Sequence, residues 1–109
     1  MPYLYYEACD VAEIPEGGRL KVIIEDYPVA LFNVGGTIYA GGDLCPHERV
    51  SLCAGGRLEG EIITCGAHQW RFNVRTGVCL EDSGFPLKRF PVGRKGGTVY
   101  VGFWSDDEG

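Results

Sequence analysis

The chain has 109 residues, 45% of them hydrophobic and 23% charged, which fits one small globular domain over residues 1–109 with no room for a second core. Its formal net charge of −5 argues against nucleic acid or an anionic membrane as partner and favours basic protein surfaces. No apolar run reaches the about 20 residues that span a bilayer, residues 1–10 lack a basic-then-apolar leader, and five cysteines form no secreted disulfide framework, so a cytoplasmic monomer is expected.

Short alternating or β-branched runs, separated by Gly, Pro and Asp, predict an all-β chain, and no segment keeps a helical period for three turns. In chain order the expected strands are Tyr3 to Tyr6, Leu20 to Glu25, Val29 to Val34, Ile38 to Ala40, Ile62 to Thr64, Trp70 to Asn73, Leu87 to Pro91 and Val99 to Phe103. One helical turn is expected within Asp10 to Glu16. Gly35-Gly36 and Gly96-Gly97 read as two-residue hairpin turns, because glycine takes positive φ without penalty, and Arg75-Thr76-Gly77 closes another. The 17 glycines suit tight hairpins and backbone packed closely around a cofactor. Cys9, Cys53 and Cys79 are expected as free thiols that behave as small hydrophobes, and the tail from Ser105 to Gly109 is expected to fray.

The chemistry sits in two loops. Cys45-Pro46-His47 follows Gly41-Gly42, and Cys65-Gly66-Ala67-His68 follows a stretch holding Gly55, Gly56 and Gly60. The segment from about 43 to 86 therefore reads as a small metal-binding subdomain set into a larger β-barrel or sandwich. Each loop offers one thiolate and one imidazole at a spacing that lets a tight turn aim both at one point. A Cys₂His₂ zinc finger pairs its donors differently, with two cysteines on one segment and two histidines on the other. A two-iron cluster with both sulfurs on one iron and both nitrogens on the other takes this set directly. Zinc accepts the same four donors and stays open as the alternative metal. With all four positions filled by protein ligands, no coordination site remains for catalysis.

The segment CPHERVSLCAGGRLEGEIITCGAHQWRFNVRTG resembles the cluster-binding part of Rieske-type ferredoxins. Its CxAHxWxFN pattern and RTG turn are most similar to the ferredoxin components of bacterial multicomponent aromatic and alkene (toluene-type) monooxygenases. Ring-hydroxylating dioxygenase ferredoxins come next, and small subunits of nitrite-reductase-type enzymes are a third relation, many of which lack the ligands. The likeness continues through Phe90-Pro91-Val92 and residues 96–101. It implies a Rieske iron-sulfur fold of three antiparallel sheets and one Rieske [2Fe–2S] cluster, with Cys45 and Cys65 on the inner iron and His47 and His68 on the outer. It implies a one-electron carrier rather than an enzyme, placed between an NADH-dependent flavin/iron-sulfur ferredoxin reductase and a terminal oxygenase, here a di-iron hydroxylase.

Respiratory and photosynthetic members of that family join their ligand loops by a disulfide where this chain has Val50 and Ala67. They also place serine and tyrosine hydroxyls on the cluster or ligand sulfurs where this chain has Trp70 and Phe72. Donors to sulfur stabilise the reduced state, so their absence predicts a potential near the low end of the Rieske range, about −150 mV. Trp70 reads equally as a docking anchor beside the histidines and as a core tryptophan. Pro86 reads as part of a third loop over the cluster or as a simple turn. Asp43, Glu48, Glu81 and Asp82 together read as an acidic rim, and singly as solvated charges.

Overall fold

The computed structural model describes residues 3–43, 51–66, 70–81 and 86–104. Strand β1 (Tyr3–Asp10) runs into a 3₁₀ turn, Val11–Glu13, which is the helical turn expected in this region. Asp10 and Glu13 close it as a reciprocal capping box: the Asp10 carboxylate accepts the Ala12 N–H, and the Glu13 carboxylate accepts the Asp10 N–H, both at 3.2 Å. Strands β2 (Arg19–Ile24), β3 (Tyr27–Val34) and β4 (Thr37–Gly42) then form a meander. The β3–β4 turn is Gly35-Gly36, with φ of 59° and 95° as expected. The β2–β3 turn is Glu25-Asp26, with φ of 53° and 67°. No glycine marks it, so β3 begins two residues before the expected Val29.

A four-residue helical turn, α1 (Leu52–Gly55), precedes β5 (Arg57–Glu59), β6 (Ile62–Thr64) and β7 (Arg71–Asn73). The chain closes with β8 (Arg89–Phe90), β9 (Val92–Lys95) and β10 (Thr98–Trp104). α1 and β5 are too short to show a period, and β9 has a single apolar residue, so none of the three was expected. The expected strand Leu87 to Pro91 shrinks to two residues beside Pro91, which has no N–H to give a ladder.

Among the described residues, ten strands assemble as three antiparallel sheets of order β1-β10-β9, β2-β3-β4-β8 and β5-β6-β7. The middle sheet is buried on both faces, and β3 shows why its sequence PVALFNV is an almost unbroken apolar run. Alternate residues point to opposite faces of a strand. Val29 and Leu31 join Ile14, Ile24, Ile38, Ala40, Val99 and Val101 in one core. Ala30 and Phe32 join Leu52, Ile63, Cys65, Phe72, Val74 and Leu87 in the other. The second core lies under the small sheet β5-β6-β7, which carries the second cysteine–histidine loop. Among the described residues no helix is long and apolar enough to cross a membrane.

Candidate metal centre

The stem of the second loop is well defined. Thr64 pairs with Arg71 at the ends of β6 and β7, and beyond them the Cys65 N–H donates to the Trp70 carbonyl at 2.7 Å. Cys65 is fully buried among Ile63, Leu52 and Phe72. Gly66, next in the chain, lies so close to α1 that a Cβ there would collide with the Gly55 carbonyl. A Cβ on Gly56 would likewise meet the carbonyls of Leu52 and Thr64. The glycines between the two ligand pairs thus let α1 sit backbone-to-backbone against the second loop. Gly55, Arg57, Thr64, Cys65 and Gly66 line an open concavity of about 150 Å³ there.

Asp43 organises the first loop. Its N–H donates to the Pro28 carbonyl at 3.0 Å, its own carbonyl accepts the Leu52 N–H at 2.7 Å, and its Oδ1 accepts the Cys53 N–H at 3.0 Å. These bonds hold together the two ends of the segment that contains Cys45 and His47. From the other side the Arg19 guanidinium donates to the carbonyls of Cys53 at 3.2 Å and Gly56 at 2.5 Å, tying β2 to α1. Asp43 is 0% exposed and its Oδ2 has no hydrogen-bond partner among the described residues, so it is not the rim charge expected from sequence. The available signal was its position: a short acceptor side chain at the end of a strand, directly before a ligand loop, is suited to bond backbone N–H groups. Replacing it with alanine leaves the partly buried Cys53 N–H without this acceptor and should cost about 1 kcal/mol in urea unfolding. Asp43→Asn, which keeps an acceptor oxygen, should recover most of that loss.

Burial, the Asp43 charge and hydrogen bonding to the Asp43 carboxylate push the Cys53 thiol up to about 12, against smaller lowering by Arg19 and Lys21. The folded state therefore holds this proton more tightly than the unfolded chain, whose thiol titrates near 9.0. The stability this contributes is fully present below pH 9 and is lost as pH rises from about 9 to about 12. At pH 8 the native protein should alkylate at Cys53 with iodoacetamide far more slowly than the urea-unfolded chain, because the thiolate is the reactive form.

Of the four expected ligands, Cys65 lies within the described residues; Cys45, His47 and His68 lie outside them, as do Glu48, Val50, Ala67 and Asp82. Among the described residues Cys9, Cys53, Cys65 and Cys79 form no disulfide. Cys53 and Cys79 pack against the core around Cys65, and Cys9 against the other core, as expected of small hydrophobes. Trp70 is half-buried and packs against the Cys65 core, which favours its core reading. Phe72 is fully buried in the same core. Pro86 is exposed, and the next residue is tied back by the Leu87 N–H donating to the Gly77 carbonyl at 2.8 Å. A buried thiol at a strand end, beside an open concavity and glycine backbone that allows close approach, fits a sulfur ligand shielded from water on its protein side.

Among the described residues the acidic groups on this sheet lie beside arginines. Glu81 pairs with Arg71 and Glu61 with Arg75, each at 2.9 Å, and Arg57 lies 3.8 Å from Glu59. Three of the five excess negative charges belong to Asp106, Asp107 and Glu108 in the tail, and a fourth is the buried Asp43. The net charge therefore says little about the face near Cys65.

Three antiparallel sheets with a buried cysteine on a glycine-flanked loop define a small all-β protein with one candidate sulfur ligand. The model of the Rieske [2Fe-2S] domain matches residues 4–91, and the chain belongs to that family, whose cofactor is a Rieske [2Fe–2S] cluster. It is 40% identical over 100 residues to the biphenyl dioxygenase ferredoxin subunit of Pseudomonas sp. (strain KKS102), covering 91% of this chain and 92% of that one. It is 39% identical over 97 residues to the 3-phenylpropionate/cinnamic acid dioxygenase ferredoxin subunit of Escherichia coli (strain K12), covering 86% and 89%. Among solved structures it matches the Sphingomonas yanoikuyae B1 ferredoxin with a TM-score of 0.84 and 28% identity, over 92% of this chain and 99% of that chain. It also matches a chain in the complex of reduced oxygenase and oxidized ferredoxin in carbazole 1,9a-dioxygenase, with a TM-score of 0.82 and 34% identity, over 90% and 92%. These relatives are ferredoxin subunits, the electron-transfer components and not the catalytic ones. The biphenyl, 3-phenylpropionate/cinnamic acid and carbazole proteins are parts of dioxygenases, not of the monooxygenase systems that the CxAHxWxFN pattern favoured.

Proposed function

We propose that this protein is the ferredoxin of a ring-hydroxylating dioxygenase, passing single electrons from an NADH-dependent reductase to the terminal oxygenase. The observation that carries the reading is the 40% identity, over 91% of the chain, to a biphenyl dioxygenase ferredoxin subunit. The CxAHxWxFN pattern supports a second reading, in which the acceptor is the di-iron hydroxylase of an aromatic or alkene monooxygenase.

Cys45 and Cys65 hold the sulfur-ligated iron, and His47 and His68 the outer one. When bound, the cluster supplies one exchangeable electron and no open coordination position. Asp43 and Arg19 fix the ends of the first loop and the backbone of α1. Ile63, Phe72 and Leu52 shield Cys65 from water on its protein side. The carrier acts as a cytoplasmic, single-domain monomer.

The test is reconstitution of the purified, iron-loaded protein with reductase and oxygenase components. NADH-driven reduction of a biphenyl-type oxygenase, faster than that of a toluene-type di-iron hydroxylase, supports the dioxygenase assignment. The reverse order establishes the second reading, and reduction of neither overturns both.

A further inference from the structure

Arg19 opens β2, and its partner across the sheet is Phe32, which is fully buried in the core that holds Cys65. Cross-strand partners share a face, so Arg19 leaves the middle sheet on the Cys65 side. An ionised side chain on a core-facing position needs its donors met. Here Nε donates to the Cys53 carbonyl at 3.2 Å and Nη2 to the Gly56 carbonyl at 2.5 Å. These bonds join residues 34 and 37 positions apart in the chain.

A helix cannot pair its last carbonyls internally, and a basic side chain can supply the missing donors. α1 has four residues, too few to hold its own place. Asp43 secures its first turn by accepting the Leu52 and Cys53 N–H groups. Arg19 secures the other end from a different sheet. The two carbonyls it binds flank Gly55, whose backbone lies against Gly66 of the second loop. Two glycines have no side chains to interlock, so this contact depends on what holds α1 from behind. Gly55 and Gly66 also line the concavity beside Cys65, and the placement of α1 sets how wide that concavity opens.

We propose that Arg19 is a positioning residue for the cluster: its guanidinium clamps α1 to β2 and keeps the Gly55–Gly66 contact closed beside Cys65. The inference rests on Cys65 as a sulfur ligand, which belongs to the proposed function. Its consequence is kinetic, because the shell around a metal site controls what reaches the ligands from solvent. A closed contact slows the loss of iron, and an opened one speeds it.

The experiment follows anaerobic loss of visible absorbance from the iron-loaded protein in excess ferrous chelator. Hydrogen exchange of the same protein is read by mass spectrometry. Arg19→Met keeps the length of the stem and removes both donors. It should lose its cluster about tenfold faster than wild type, with faster exchange across residues 52–66 and unchanged exchange in β1 and β10. Arg19→Lys, which keeps the charge but not the planar fork, should fall between the two. Lys21→Met removes an exposed charge from the same face of β2, since Lys21 pairs with Ala30, and should behave as wild type. A wild-type release rate in Arg19→Met overturns the proposal. So does exchange that rises equally in β1 and β10, which marks a general loss of stability, or an equal effect of Lys21→Met, which marks charge alone. Where Arg19→Met does not fold, Arg19→Lys carries the test, and its release at the wild-type rate overturns the clamp. A Cys65→Ala protein with full iron and sulfide refutes the ligand reading, whereas an empty one beside an unaffected Arg19→Met refutes only the clamp.

Discussion

Cys65→Ala should purify colourless, with iron and acid-labile sulfide below about a tenth of the wild-type content. The substitution removes a sulfur and little else, at a position that is 0% exposed and packed against Ile63, Phe72 and Leu52. The stem of the loop survives, because the 2.7 Å bond to Trp70 uses the Cys65 backbone. Loss of metal would therefore report a lost ligand and not a lost fold. Cys53→Ser and Cys79→Ser supply the contrast: both thiols pack against the same core, and both proteins should keep their full iron and sulfide. A ligand that binds only the folded chain stabilises it, so Cys65→Ala should unfold with apo wild type and well below the loaded form. Stoichiometric zinc and no visible absorbance in the wild type would favour the zinc alternative, and a fully loaded Cys65→Ala would exclude this residue as a ligand.

The all-β class was readable because most strands advertise themselves by alternation or by a β-branched run between glycine turns, whereas the three sheets were implied by the Rieske resemblance and not by the strand pattern. β3 was readable as a strand, but its burial on both faces was not, since an apolar run alone does not say how many layers it separates. The Glu25-Asp26 turn was missed because neither residue favours positive φ as glycine does, and α1 and β5 because three or four residues carry no period. At the site, Cys65 lies directly after β6, in the loop read from the sequence. Asp43 departs from its reading: from sequence a carboxylate beside a loop reads as solvated, and the Cys53 N–H that donates to it was not visible there. Net charge is coarse in the same way: it sums a tail and a buried group with the surface, and local pairs such as Arg71–Glu81 do not show in the sum.

Phe72 is the position where stability and electron affinity can be separated. Its ring is 0% exposed, in the core it shares with Cys65, Ile63 and Val74, and its backbone bridges to Cys79. Phe72→Ala should cost about 3–5 kcal/mol, the usual loss for a buried phenyl ring, measured by urea unfolding of the apo protein. Phe72→Tyr changes the volume little and introduces one hydroxyl beside a sulfur ligand. A hydrogen bond to the cluster or its ligand sulfur stabilises the more negative, reduced state, so the midpoint potential should rise. A gain of about 1 kcal/mol corresponds to about 40 mV for a one-electron couple, so the shift should be tens of millivolts upward from a wild-type value well below zero. A hydroxyl without an acceptor would instead cost about 1–3 kcal/mol of stability and leave the potential where it was. That outcome, or a wild-type midpoint above about +100 mV within the upper Rieske range, would show that the missing donor does not set the potential. A raised potential with stability near wild type would show that it does, and that the fully buried Phe72 keeps this carrier reducing enough to drive an oxygenase.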